Sequence, residues 1–188
     1  MLVLPMNTAL FYGIVLALAN IVLSLVSYFL GFQTDKIALE PWLALIQIPL
    51  CVAVLWIGIR AAREEAKDKS ITYGRGVKTG FLISLYSALM TIVYTVIHMT
   101  YINPAYADYK VDAMRQKWMA AGLHDAQMAA AEKVMRFMLS PVPLAIYILI
   151  VGVVFGVVVS LILAAFLKRK PAAGAPPLVA PPPAAGTA

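Results

Sequence analysis

Long apolar runs broken by short polar ones dominate the chain. Four runs reach the length of about 20 mostly apolar residues that a membrane-crossing helix needs. They cover residues 9–32, 42–59, 79–101 and 144–167, and none contains Asp, Glu, Lys or Arg. The pattern predicts an all-α integral membrane protein: a bundle of four transmembrane helices within residues 1–170. The first run lacks a basic leader and exceeds the 7–15 apolar residues of a signal-peptide core, so it reads as a span.

Between the third and fourth runs the period changes. Residues 103–140 predict a short outer loop of two amphipathic helices. Asn103 is the expected cap of the first, with Pro104 at its first position. Val111, Met114 and Trp118 recur at helical spacing, and Gly122 stops that helix. Met128, Ala131, Met135, Met138 and Leu139 form one side of the second, which "SPVP" ends. Such a hairpin is either a lid or partner surface, or a connector packed on its own bundle. Residues 171–188 are Pro/Ala-rich low complexity and predict a disordered cytoplasmic tail.

Each span carries a line of small or polar residues, which is what packs helices where lipid removes the hydrophobic drive. In the first, Gly13, Ala17, Asn20, Ser24, Ser27 and Gly31 alternate steps of three and four. In the third, Ser84, Ser87, Thr91, Tyr94 and His98 do the same. In the fourth, Gly152, Gly156, Ser160 and Ala164 repeat every four residues. The second span carries Gln47 and Pro49; the proline predicts a kink, and Gln47 needs a partner, which Asn20 or the third span could supply.

The stretch "YGRGVKTG" at 73–80 resembles a phosphate-binding loop only superficially. The glycines that loop requires are replaced by Val77 and Thr72. The better reading has Thr72 capping a helix that enters the membrane, with Gly76 and Gly80 as notches for a neighbouring helix. Gly13, Gly76, Gly80, Gly152, Gly156 and Ser160 are therefore the expected helix-packing residues.

Composition agrees: 62% of residues are hydrophobic and only 13% charged, against about 25% charged in a soluble domain. The net charge of +6 comes from bases lying between apolar runs, which argues for membrane orientation and against nucleic acid. Cytoplasmic termini would put nine of the Lys and Arg residues inside and six outside. Six of the nine crowd into the short second loop. Arg60, Arg63, Arg75 and Lys78 there are candidate lipid head-group contacts.

The chemistry is sparse. The acids lie in loops, and Glu64, Glu65 and Asp68 in "REEAKDKS" read as a salt-bridged helix turn. One cysteine, Cys51, and two distant histidines offer no metal spacing. No cofactor, metal or catalytic residue is expected, and the chain does not read as an enzyme. The binding candidates are His98, Tyr94, Thr91, Asn20 and Gln47, intramembrane groups whose plain alternative is hydrogen bonding between helices. Two functions remain: a scaffold, assembly or modulatory subunit, or a small oligomeric transporter or channel. The expected partners are the lipid bilayer and a membrane protein or a second copy.

The order "YGIVLALANIVLSLVSYFLG", "GIRAAREE", "ITYGRGVKTGFLISL", "AAGLHDAQMAAAEKVMRFMLSP" and "GVVVSLILAAFLKRK" resembles the bacterial membrane family catalogued as domain of unknown function 4199. The resemblance spans about residues 8–170. It implies a four-span protein of the bacterial inner membrane and brings no assigned reaction.

Overall fold

A computed structural model describes residues 7–66 and 69–169. The expected N-terminal arm in part, Lys67 and Asp68 of the second loop, and the 171–188 tail lie outside these residues. Helix α1 is Thr8–Phe29, α2 Ala44–Glu64, α3 Tyr73–Ile97, α4 Tyr106–Ala120, α5 Asp125–Met138 and α6 Pro141–Leu167. A 3₁₀ segment, Ile37–Leu43, leads into α2, and a π-helical turn, His98–Ile102, extends α3. Among the described residues there is no strand, only one antiparallel bridge between Ile71 and Arg169. Four segments are long and apolar enough to cross a membrane: Thr8–Phe29, Ile37–Glu64, Tyr73–Ile102 and Pro141–Leu167.

The helix boundaries follow local chemistry. Asn7 caps α1, its Oδ1 accepting from Ala9 N at 3.0 Å. The helix stops at Phe29, because Gly31 turns the chain at φ +82°. Gly31 therefore ends the small-residue line of α1 as a turn. Thr72 caps α3, its Oγ1 accepting from Arg75 N at 3.3 Å. Helix α6 opens at Pro141, three residues before the apolar run suggests, because proline suits the first helical turn. Helix α2 continues through Pro49 from Ala44 to Glu64.

Asn103 corrects the sequence reading. Helix α4 begins at Tyr106 with Ala105 at its cap position. Asn103 is 3% exposed, and its Nδ2 donates to Gln33 O at 3.1 Å. A buried backbone carbonyl in the first loop has claimed the side chain that local propensity assigns to the helix start.

Helix α3 is the centre of the bundle. It packs most extensively on α6 and α1, while α2 touches all three. The antiparallel α3–α6 seam is a ladder of small residues, pairing Gly76 with Ala164, Gly80 with Ser160, Ser84 with Gly156, and Ala88 with Gly152. A Cβ added at Gly80 would stand 2.5 Å from Ser160 Cβ, and one at Gly156 2.5 Å from Ser84 Cβ. At Gly76 the corresponding distance to Ala164 Cβ is 2.9 Å, and at Gly152 to Ala88 Cβ 3.8 Å. On the other side, Gly13 lets α1 approach α3, with Tyr86 Cβ 2.7 Å from the added atom. Gly58 of α2 is a further notch, filled by Ile83 Cδ1 at 2.6 Å. It stands alone in its helix, without the four-residue repeat that marks the others.

The apolar core lies toward the end of the bundle where α2 meets α3. Leu55, Ile59, Ile71, Ile83, Leu163 and Leu167 are among its members, with Leu16 reaching in from α1. Full burial along α2 begins at Val54, with Cys51 and Val52 half-buried against the core just before it. Leu45, Ile46 and Ile48 in its first half are 64%, 57% and 46% exposed. The other end of the bundle is thus left open in its middle.

Candidate functional site

That opening is a cavity of about 690 Å³. Its walls come from α1, α2, α3 and α6, and the α4–α5 hairpin and the 3₁₀ segment form its mouth. A second cavity of about 310 Å³ lies toward the apolar core, between the same four helices. Asn20, Gln47, Thr91 and Ile148 line both, so the two share a boundary.

The polar wall is a closed ring of side chains. Tyr94 Oη is 3.0 Å from Ser24 Oγ and 3.0 Å from His98 Nδ1. His98 Nε2 is 2.8 Å from Gln33 Oε1. Gln33 Nε2 donates to Ser24 O at 3.0 Å and to Ser24 Oγ at 3.2 Å. Ser24 and Tyr94 hydroxyls can point either way. With a neutral imidazole the donors run Ser24 to Tyr94 to His98 to Gln33 and back to Ser24, and every group is satisfied. With both ring nitrogens protonated, His98 donates to Tyr94 and Tyr94 donates to Ser24. The π turn helps place this ring, since Asn103 N donates to His98 O at 2.7 Å. His98 is 5% exposed and Gln33 7%. Tyr28 packs edge-on against the imidazole, with centroids 5.7 Å apart.

At the mouth, Glu40 pairs with Lys110 and accepts from Tyr106 Oη at 2.8 Å. Burial first, and then the Glu40 carboxylate, push the Tyr106 phenol far above its usual range, so it remains a donor. Arg136 donates to Asp108 Oδ1 at 2.6 Å and to Glu132 Oε1 at 3.0 Å, tying α5 to α4.

All five binding candidates from the sequence, His98, Tyr94, Thr91, Asn20 and Gln47, line the larger cavity. The expected bond between Gln47 and Asn20 or α3 is absent among the described residues. Gln47 is exposed because its half of α2 stands clear of the bundle. Asn20 Oδ1, Thr91 Oγ1 and Ser27 Oγ are buried with no hydrogen-bond partner. Arg60, Arg75 and Lys78 are exposed and Arg63 half-buried at the opposite end, where Arg60 Nε donates to Glu64 Oε1 at 2.8 Å. Sequence reasoning missed Gln33, Glu40, Tyr106 and Lys110. Gln33 and Glu40 sit in a nine-residue connector that carries no periodicity, and Gln33 meets His98 across 65 positions. The available signal was a glutamine beside the end of a span, where a polar side chain needs a partner.

Fold and site together define a four-span helical membrane protein with a cleft at one end that has one polar wall. The chain belongs to the family described as Protein of unknown function (DUF4199), whose model matches residues 11–169. No curated protein and no solved structure matches the chain.

Proposed function

We propose that the chain is a non-enzymatic protein of the bacterial inner membrane, with both termini cytoplasmic, that assembles with or modulates a partner in the envelope. The observation that carries this reading is the α4–α5 hairpin. Val111 is buried and Met128, Met135 and Leu139 are half-buried, Met135 and Leu139 lining the bundle's cavity. Val134 and Phe137 are left 62% and 64% exposed beside the charged cluster of Asp108, Glu132 and Arg136. An apolar pair set in charge suits a protein surface better than a lipid one. The basic second loop supports the orientation, and its Arg and Lys residues suit anionic head groups.

Co-purification from native membranes in mild detergent tests this. A partner should be recovered with the natural chain and lost with Val134→Asp and Phe137→Asp. Recovery of the chain alone under every condition overturns it. Orientation is checked with reporters at the C-terminus and at Gly122, which should report opposite sides.

The cavity favours a second reading, a small oligomeric transporter or channel. Reconstituted flux that His98→Ala leaves unchanged would rule out the proposed polar ring as its path.

A further inference from the structure

We propose that the two adjoining cavities form one binding site for a single lipid-like amphiphile, an acyl chain carrying an uncharged, hydroxyl-rich head group. The inference is independent of the partner reading above. It rests on where three kinds of side chain lie.

First, the boundary between the cavities is polar and unsatisfied. Asn20 Oδ1 and Thr91 Oγ1 line it, are buried, and lack hydrogen-bond partners. Ser27, 1% exposed and lining the larger cavity, also has an unpartnered Oγ. Burying such atoms unpaired costs about 1–3 kcal/mol each. A ligand that both donates and accepts would satisfy them: Asn20 Oδ1 can only accept, and the two hydroxyls do either.

Second, the lining offers no free charge among the described residues. Glu40 and Lys110 are paired with each other, and both His98 nitrogens are engaged in the ring. A net-charged head group would be desolvated there without a counter-charge, which is costly. This selects a neutral glycerol-like head over a carboxylate, phosphate or amine.

Third, apolar surface dominates both cavities, and more so in the smaller. Leu16, Ile48, Val151 and Phe155 wall it beneath the polar boundary. A head group among Ser27, Thr91 and Asn20 thus points its chain toward the core. Together the volumes fall in the range of about 300–1,000 Å³ typical of small-molecule sites. The exposed first half of α2 gives such a molecule a side entrance from the bilayer.

The test uses the full chain in nanodiscs of one phospholipid, titrated with monoolein, oleate or oleylamine and read by native mass spectrometry. Monoolein should bind saturably at one per chain, at least tenfold more tightly than either charged analogue. Asn20→Leu with Thr91→Val, which replaces unpaired polar atoms with apolar ones of similar size, should weaken it tenfold or more without lowering the melting temperature. Gln47→Leu, at an exposed position on the same boundary, should weaken it even if the double variant fails to fold. Absence of a saturable monoolein adduct, affinity unmoved by these substitutions, or preference for a charged analogue would each overturn the proposal. Partner recovery is scored separately, so either idea can fail alone.

Discussion

His98 shows how one residue's role depends on its neighbours' geometry. Its two nitrogens reach Tyr94 on its own helix and Gln33 from the first loop. Removing the imidazole strands both partners in a buried site. His98→Ala should therefore destabilise the protein by several kcal/mol, at about 1–3 kcal/mol for each unpaired group. Thermal unfolding in detergent measures this. Ser27 should behave in the opposite way, for its buried hydroxyl has no partner to lose. Ser27→Ala is expected to leave the melting temperature unchanged or raise it, by an amount on the order of 1 kcal/mol.

Among the elements, the α3–α6 seam depends most on residue size. Its backbones approach because each large position is denied on one side and supplied on the other. Gly80→Ala would place a methyl group 2.5 Å from Ser160 Cβ, and no rotation of the hydroxyl relieves that. Overpacking of this kind costs about 1–3 kcal/mol. Ser160→Gly in the same chain should restore much of the loss, a coupling that unfolding of the single and double variants would reveal. Gly74 lies in the same helix with nothing within 4 Å of an added Cβ. Gly74→Ala should stabilise by up to about 1 kcal/mol through helix propensity. Equal effects at Gly74 and Gly80 would mean that the seam does not pack as described.

For the molecule as a whole, the cleft exists because α2 joins the bundle mainly through its second half. The hairpin then closes over the gap, held by Glu40 through Tyr106 and Lys110. Glu40→Gln should loosen the hairpin and speed proteolysis or hydrogen exchange in α4, leaving the α3–α6 seam protected. The Tyr106 phenol is raised from an ordinary value of 10.0. Its contribution is therefore fully present below pH 10 and lost as pH rises through the folded value. Hairpin protection should be flat through neutral pH and fall only in strong alkali. Tyr106→Phe should shrink that alkaline step, with the Glu40–Lys110 pair carrying what is left.

The membrane class, the four spans, the small-residue seams and the helix entry at Thr72 were legible from local pattern. Hydropathy, periodicity and capping act over a few turns, so neighbouring residues carry them. The sequence could also mark His98, Tyr94, Thr91, Asn20 and Gln47 as costly to bury, because a polar group in an apolar span is conspicuous wherever it points. It could not say what each would meet. The Gln33–His98 bond, the capture of Asn103 by the first loop, the solitary notch at Gly58 and the outward stance of α2 all depend on residues far apart in the chain. Only the packed bundle decided them, since a partner's distance and direction are set by how whole helices settle against one another.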